Sequence, residues 1–191
     1  MRLVLATHNA HKVKEVAAIL EPILEGLTVD GYDGPEPLED GTSFLENALI
    51  KARVAFRHTG QTSIADDSGI SVEILGGSPG IFSAGWSGSR DDAKNRQLLL
   101  AQLADIPEQS RQASFICTIA MVGQDGEQSF TGVWPGRIGY ADSGSNGFGY
   151  DPIFIPEGFE VSAAELEPMV KNSISHRAMA LSQLASYLRP Q

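Results

Sequence analysis

The chain has 191 residues, 42% apolar and 20% charged, and no apolar run approaches the ~18 residues of a membrane span. This composition predicts a globular protein with enough residues to bury a core and without a membrane partner. The formal net charge of −10 argues against a nucleic-acid polymer as ligand, because such binding depends on neutralising phosphates, whereas small anions held by a few local cations are still allowed.

The first residues show no sign of a secretory signal. The apolar patch from Arg2 to Ala6 is short, polar residues follow it, and no small-residue cleavage site appears, so we expect a cytoplasmic protein. The single cysteine, Cys117, lies in an apolar run, which favours a buried thiol over a nucleophile.

The beginning of the chain predicts a strand, a polar turn and an amphipathic helix. The turn spans Thr7 to Lys12, and apolar residues then recur at helical spacing as far as Leu24. A loop that opens a helix presents unpaired N–H groups and the positive end of the helix dipole, so Thr7, Asn9 and Lys12 are placed to hold a phosphate. The alternative is that Asn9 only caps the helix and Lys12 is solvated.

An acidic loop with two prolines comes next, at residues 34–41, and a second helix follows it. Thr42 or Ser43 is predicted to cap this helix, Glu46 has the spacing of a capping box, and the helix runs to about His58.

Two adjacent carboxylates, Asp66 and Asp67, follow a short apolar run. The pattern predicts a strand ending at Ala65, a turn at Asp66–Gly69 and an extended segment over Ile70–Leu75. Ends of strands are where α/β proteins place their chemistry. Side chains alternate along a strand, so we expect the two carboxylates to face opposite sides and to have unequal roles. The alternative is a structural Asx turn.

Carboxylates from two separate segments suit Mg²⁺, which takes a few protein oxygens and keeps its waters. Glu39 in the acidic loop and Asp67 are a plausible pair for such a site. Lys51 and Arg53, on the second helix, are either functional cations or ordinary surface charges.

The second half of the chain predicts a helix from Asp91 to Leu103 and a hairpin formed by residues 113–122 and 128–134. A glycine-rich loop over residues 142–151 places Phe148 between glycines, either for stacking on a ligand or as an anchor in the core. A last helix is predicted over Ala178–Leu188, after a polar segment that begins at Lys171.

Five separated motifs together resemble the inosine triphosphate pyrophosphatase family, also called the Ham1-like family, over nearly the whole chain. The motifs are Thr7–Lys12 with Glu15, Glu39 with Phe44–Ala48 and Lys51, Ala65–Gly69 with Gly76–Gly80, Phe148–Pro152, and Ser175–Arg177. The resemblance implies an α/β fold with two lobes, a long mixed sheet flanked by helices and a nucleotide cleft between the lobes, all within a single nucleotide pyrophosphatase domain over residues 1–191.

The resemblance also implies a homodimer that hydrolyses ITP, dITP and XTP to the monophosphate and pyrophosphate with Mg²⁺. Asp67 corresponds to the general base, and Glu39 with Asp67 to the metal ligands. The substrate contacts that it implies are Thr7, His8, Asn9, Ala10, His11, Lys12, Lys51, Ser68, Phe148, Gly149, Tyr150, Asp151, Lys171, His176 and Arg177. Many family members carry glycine at the position of His8.

Two other functions are compatible with these residues. One is a septum-formation-inhibitor-type pyrophosphatase that acts on dTTP, UTP or modified bases, and the other is a non-catalytic protein that binds a nucleotide and leaves it intact. The Ser175–Arg177 and Phe148–Asp151 motifs argue against the first alternative.

Overall fold

The computed structural model describes residues 1–189, apart from the side chain of His11. Over these residues the strands are β1 (Arg2–Leu5), β2 (Thr28–Gly31), β3 (Ser63–Val72), β4 (Gln112–Gly123), β5 (Gly126–Ile138) and β6 (Phe154–Pro156). The α-helices are α1 (Ala10–Leu20), α2 (Phe44–Thr59), α3 (Asp92–Gln102), α4 (Pro168–Ile174) and α5 (His176–Leu188). Shorter 3-10 helices span Glu73–Leu75, Gly80–Gly85, Glu108–Ser110 and Asp151–Ile153.

The strands form one mixed sheet in the order β2-β1-β3-β4-β5-β6. β1 pairs in parallel with β2 and with β3, where Leu5 lies opposite Ile64. β5 pairs antiparallel with β6, where Gly136 lies opposite Pro156. The expected α/β fold with a mixed sheet and flanking helices is confirmed.

The chain divides into two compact units, each assembled from separate stretches. Unit 1 contains Met1–Asp67, Cys117–Gly132 and the chain from Arg177, and unit 2 contains Ser68–Ile116 and Val133–His176. The core of unit 1 includes Leu3, Leu5, Leu20, Ile64, Ile119, Leu181 and Leu184. The buried side chains of unit 2 include Leu99, Leu103, Phe115, Trp134, Ile138 and Phe154. No helix among the described residues is both long and apolar enough to cross a membrane.

Cys117 is a core residue of unit 1, as expected. Its side chain is fully buried, and burial raises the pKa of the thiol to about 12. The thiolate, which is the nucleophilic form, is therefore negligible at neutral pH.

Helix α1 is shorter than the apolar spacing predicts. It ends at Leu20 rather than near Leu24, and Ile23 is exposed. Pro22 accounts for the early end, because proline disfavours helical geometry at the residue before it. Leu24 is nevertheless buried in the same core, so the chain beyond the helix continues the apolar side that the spacing indicated.

The strand that carries the two carboxylates does not end at them. β3 runs without a break from Ser63 to Val72, so the predicted turn at Asp66–Gly69 is wrong, and the alternative of an Asx turn is wrong with it. The predicted extended segment is also too long, because a 3-10 helix begins at Glu73. The carboxylates therefore lie in the middle of a strand.

Gly69 is required for close packing rather than for a turn. A Cβ at this position would collide with the carbonyl oxygen of Gly80 and the hydroxyl of Ser83. The same hydroxyl accepts a hydrogen bond from the backbone N–H of Ile70 at 2.9 Å. Glycine in this strand thus permits the approach of the 3-10 helix at Gly80–Gly85.

The predicted cap of the second helix is confirmed, with Ser43 as the N-cap. Its hydroxyl accepts a hydrogen bond from the N–H of Glu46 at 3.1 Å, and the Glu46 carboxylate accepts one from the N–H of Thr42 at 2.6 Å. The reciprocal pair fixes the start of α2, and the acidic loop that precedes it, through two backbone donors.

The helix predicted over Asp91–Leu103 and the hairpin predicted over residues 113–134 are confirmed, with small changes in their limits. Asp91 is the N-cap of α3, and its carboxylate accepts a hydrogen bond from the N–H of Lys94 at 3.1 Å. β4 and β5 are longer than predicted and are joined by two residues, Gln124 and Asp125.

The polar segment that begins at Lys171, which the sequence placed before the last helix without assigning it a structure, continues a short helix of its own, α4. Pro168, whose fixed φ suits the first turn of a helix, starts α4, and Ser175 alone separates α4 from α5. α5 begins two residues before the predicted start at Ala178, so His176 and Arg177 lie in its first turn.

Candidate active site

Asp66 and Asp67 face opposite sides of β3, as strand alternation predicts. The Asp66 carboxylate contacts cations from α1 and α5, whereas the Asp67 carboxylate contacts side chains of α2. Adjacent residues of the same type therefore have different chemical surroundings.

Asp66 is a buried anion between two cations. The Lys12 ammonium lies 2.9 Å from Oδ1 and 3.0 Å from Oδ2, and the Arg177 guanidinium donates to Oδ2 at 3.3 Å. Burial alone would raise the pKa of Asp66, but these two cations outweigh it and hold the pKa well below its usual range. An ionised carboxylate that is already paired twice is poorly suited to accept a proton from water.

Arg177 reaches Asp66 while its own guanidinium is largely buried, with 13% of the side chain exposed. Burial lowers the pKa of this group, but the Asp66 charge, the hydrogen bond to Asp66 and the charge of Glu15 act together with other contributions to raise it. The Nε atom is buried and has no hydrogen-bond partner among the residues that the structure describes. One donor of the guanidinium is therefore unsatisfied by the described residues, which is uncommon for a buried polar atom.

Asp67 is held by an amide and lies near a cation. Asn47 Nδ2 donates to Asp67 Oδ2 at 3.1 Å, and the Lys51 ammonium lies 3.9 Å from Oδ1. Lys51 also lies 3.0 Å from a carboxylate oxygen of Glu39. One ammonium thus connects the strand carboxylate with the carboxylate of the acidic loop.

The donor set of Glu39 and Asp67 fits a hard divalent cation such as Mg²⁺. Both residues offer carboxylate oxygens, and their separate negative charges already attract one cation, the Lys51 ammonium. Among the described residues no three Asp, Glu, His or Cys side chains are grouped closely enough to hold a metal by themselves. Two carboxylates suit Mg²⁺ because this ion keeps several waters and takes other ligands from substrate phosphates.

Asn47 connects the two carboxylate segments, and the sequence argument gave it no role. Its Oδ1 accepts a hydrogen bond from the N–H of Gly41 at 2.9 Å, two residues beyond Glu39, while its Nδ2 binds Asp67. The residue is buried on the alanine-rich side of α2. A polar amide at a buried position of an amphipathic helix is the signal that would have identified it.

We expect Asn47→Ala to lower the free energy of unfolding by about 1–3 kcal/mol, because it removes the acceptor of the Gly41 N–H and one hydrogen bond to the Asp67 carboxylate. Urea unfolding at neutral pH measures the change. Arg57→Ala, at an exposed position of the same helix, is the control and should have little effect. Equal losses in the two variants would contradict the role given to Asn47.

The predicted phosphate turn lies at the start of α1, which begins at Ala10. Asn9 Oδ1 accepts a hydrogen bond from the N–H of Lys12 at 3.3 Å, and Thr7 Oγ1 accepts one from the N–H of Asn9 at 3.2 Å. Asn9 therefore contacts the first turn as a cap does, in agreement with the alternative for this residue. The Lys12 ammonium is not solvated but bound to Asp66, and His11 lies outside the described side chains.

His8 makes contacts that a glycine could not. Its Nε2 lies 2.9 Å from the carbonyl oxygen of Gly34, and its Nδ1 lies 3.1 Å from a carboxylate oxygen of Glu36. The ring also stacks on Tyr32 with the centroids 5.9 Å apart. His8, which stands where many family members have glycine, thus connects the turn at Thr7–Lys12 with the loop that leads to Glu39.

The glycine-rich loop in unit 2 exposes one aromatic ring and buries the other. Phe148 is 62% exposed, whereas Tyr150 is buried and donates from its hydroxyl to the carbonyl of Ser83 at 2.7 Å. Of the two roles considered for Phe148, the anchor in the core is therefore wrong, and Tyr150 is the buried aromatic residue of this loop. Asp151 pairs with Lys171, and the Lys171 ammonium lies 5.3 Å from the Phe148 ring centroid.

His176 is part of an aromatic cluster in unit 2. Its ring stacks on Phe115 at 4.9 Å and on Trp134 at 6.3 Å between centroids, and the residue is buried. Ser68 is half-buried in β3 directly after Asp67. The structure thus groups Lys12, Asp66 and Arg177, then Glu39, Lys51 and Asp67, and in the other unit Phe148, Asp151 and Lys171.

Comparison with known proteins gives a consistent result over the full chain. The model of the Ham1 family matches residues 3–187. The chain is 54% identical to the dITP/XTP pyrophosphatase of Leifsonia xyli subsp. xyli over 191 residues, covering 99% of this chain and 96% of the relative. It is 46% identical to the dITP/XTP pyrophosphatase of Mycobacterium tuberculosis over 194 residues, covering 98% and 95% of the two chains.

Solved structures show the same fold. A HAM1 protein from Coxiella burnetii superposes with a TM-score of 0.91 at 39% identity, covering 98% of both chains. The nucleoside-triphosphatase / dITP/XTP pyrophosphatase of Mycobacterium abscessus superposes with a TM-score of 0.82 at 44% identity, covering 99% of this chain and 100% of that one.

Proposed function

Because the chain belongs to the Ham1 family, we propose that it hydrolyses non-standard purine nucleoside triphosphates, namely ITP, dITP and XTP, to the monophosphate and pyrophosphate. The observation that carries the chemistry is the environment of Asp67, a carboxylate oriented by a buried amide and linked through Lys51 to Glu39. The full-length similarity to proteins named dITP/XTP pyrophosphatase supports the substrate class.

Asp67 acts as the general base in this proposal. Its neighbour Asp66 is held ionised by two cations on the other face of β3 and is poorly suited to take a proton, whereas the Asn47 amide orients Asp67 on the face that carries Lys51. Attack at the α-phosphorus, in line with the leaving oxygen, releases pyrophosphate.

The remaining charges neutralise the polyphosphate. Lys12 and Lys51 in unit 1 supply cations, and the turn from Thr7 to Lys12 lies at the positive end of the dipole of α1. Mg²⁺, when held by Glu39 and Asp67, would neutralise charge on the leaving pyrophosphate. Lys51, which lies near both carboxylates, would then share the neutralisation of their charge with the ion.

Base recognition in this proposal combines stacking with hydrogen bonds. The exposed Phe148 ring offers a stacking surface, but every purine has a π-face, so stacking alone discriminates poorly. Hypoxanthine and xanthine carry an acceptor at C6 where adenine carries an amino donor. Arg177 has only donors, and its Nε has no partner among the described residues, so adenine would place a donor against a donor.

We expect kcat/KM for dITP and XTP to exceed that for dATP by at least ~10², because hydrogen-bond complementarity leaves a buried donor unpaired with the wrong base. Pyrophosphate release from a panel of dITP, XTP, dATP, dTTP and UTP with Mg²⁺ measures it. Equal rates for dATP and dITP would indicate a general nucleotide pyrophosphatase instead. A preference for dTTP or UTP would favour the septum-formation-inhibitor type, and binding without pyrophosphate release would favour a non-catalytic protein.

The same proposal includes three features that the resemblance implies and that need separate measurements. They are a homodimer, a cytoplasmic location and a single functional domain over residues 1–191. Sedimentation or light scattering tests the first directly.

A further inference from the structure

Helix α3 holds the peptide of Gly149, which directly follows the exposed Phe148. The carboxylate of Asp92 accepts a hydrogen bond from the Gly149 N–H at 2.9 Å. The guanidinium of Arg96 donates to the Gly149 carbonyl oxygen at 2.8 Å. Asp92 and Arg96 are four residues apart on α3 and so lie on the same side of the helix. Both polar atoms of one glycine are thus bound by one helix surface.

Arg96 also holds the start of the same loop. Its Nε and Nη2 donate to one carboxylate oxygen of Asp142 at 2.9 and 2.7 Å. The guanidinium therefore binds the loop at two places, seven residues apart, and the Arg96 side chain is only 14% exposed. The planar guanidinium can donate to Asp142 and to Gly149 at the same time. A lysine ammonium is too compact to reach both acceptors.

The loop needs such support because of its composition. Gly144, Gly147 and Gly149 all have positive φ, and glycine-rich backbone loses more conformational entropy on ordering than other backbone. On the other side of Phe148, the Asp151 carboxylate accepts a hydrogen bond from the Phe148 N–H at 2.8 Å. The backbone at Phe148 is fixed on both sides while its ring stays exposed.

We propose that Arg96, together with Asp92, is a positioning residue that presents the Phe148 ring for base stacking. This inference rests on the proposed function, in which that ring stacks on the purine. A ring held in place before the ligand arrives binds with a smaller loss of entropy. Asp92 and Arg96 hold Gly149 and Asp142 rather than the groups proposed for the chemical step, so we expect them to affect substrate binding and not that step.

Arg96→Ala tests the proposal with dITP and Mg²⁺. We expect KM to rise by about tenfold, because two charge-assisted contacts are lost, while kcat stays within about twofold. Phe148→Ala should raise KM at least as much, and adding Arg96→Ala to it should change KM by less than about twofold, since the ring that Arg96 positions is already gone. The rise should be similar for dITP, XTP and dATP.

Two further variants separate positioning from simple loss of structure. Arg96→Lys should raise KM by an intermediate amount because an ammonium cannot span Asp142 and Gly149. Lys94→Ala, at an exposed position on the same helix, is the control and should leave KM unchanged. Hydrogen exchange of the Gly149 amide without nucleotide should become faster in Arg96→Ala and Asp92→Ala but not in Lys94→Ala.

The outcomes distinguish this inference from the proposed function. If the unmodified protein hydrolyses dITP but Arg96→Ala leaves KM unchanged, the inference is overturned and the proposed function is not affected. Additive KM effects of Arg96→Ala and Phe148→Ala, or a fall in kcat with KM unchanged, also overturn it. If the unmodified protein leaves dITP intact, the proposed function is contradicted. The base-stacking role is then contradicted too, even if hydrogen exchange shows that Asp92 and Arg96 hold Gly149.

Discussion

Asp67→Asn is expected to lower kcat for dITP by about 10² to 10⁴-fold, the range that a general base contributes. Asparagine has nearly the same shape and still offers an oxygen to the Asn47 amide, which donates to Asp67 at 3.1 Å, so the protein should fold normally. An amide cannot take the proton of the attacking water. Steady-state kinetics with dITP and Mg²⁺ gives kcat, and urea unfolding of the same variant checks that folding is preserved.

The control for this variant is Asp125→Asn, which removes an exposed carboxylate from the hairpin turn and should leave kcat unchanged. Asp66→Asn is the informative comparison, because it removes the adjacent carboxylate on the opposite face of β3. A larger loss of kcat in Asp66→Asn than in Asp67→Asn, with both proteins folded, would mean that the roles of the two carboxylates are assigned in reverse.

Local features of the fold followed from the sequence where a short-range rule governs them. The cap at Ser43, the helix starting after Asp91 and the hairpin turn at Gln124 and Asp125 all depend on neighbours within a few residues. The turn at Asp66–Gly69 failed for the converse reason. Asp, Ser and Gly favour turns locally, but the pairing of β3 in the sheet and the packing of the Gly80–Gly85 segment on Gly69 decide the conformation.

Contacts between distant residues could not be read from the sequence. Asp66 is 54 positions from Lys12 and 111 from Arg177, so no spacing rule connects the three. Arg111 is a second case: it is almost fully buried and donates to four backbone carbonyls, those of Leu103, Ile106, Ile138 and Gly139. Its charge in the sequence predicts an exposed side chain, and only the fold supplies the acceptors that allow burial.

The physical patterns and the family motifs pointed to the same group of residues. The argument from carboxylate chemistry paired Glu39 with Asp67 and the motifs added Lys51, whose ammonium lies near both carboxylates, although the strand-end argument was wrong. Neither identified the residues that hold these groups in place. Asn47 was quoted only as part of a motif, and Arg96 was not singled out at all, because a supporting role depends on which backbone atoms lie beside a side chain.

Asp66→Asn is expected to lower the free energy of unfolding substantially while lowering kcat less than Asp67→Asn does. The change leaves the Lys12 ammonium and the Arg177 guanidinium facing each other without the buried anion between them. Removing one partner of a buried ion pair costs about 3–5 kcal/mol, and the loss should lie toward the lower end because the Lys12 side chain is 31% exposed. Urea unfolding at neutral pH measures this loss. Asp67→Asn is the matched control and should lose much less, because the Lys51 ammonium lies 3.9 Å from the Asp67 carboxylate, farther than Lys12 lies from Asp66, and asparagine can still accept from the Asn47 amide.

The pH dependence of unfolding identifies the charge of Asp66 as the source of that stability. The pKa of the folded carboxyl is held below its unfolded value of about 3.9, so its contribution is fully present above that value and is lost as the pH falls through it toward the folded pKa. The free energy of unfolding of the unmodified protein should therefore fall more steeply below about pH 4 than that of Asp66→Asn, and the two curves should approach each other at acid pH. A difference between the two proteins that is the same at pH 3 and pH 7 would show that packing, and not the ionised carboxylate between Lys12 and Arg177, accounts for the loss.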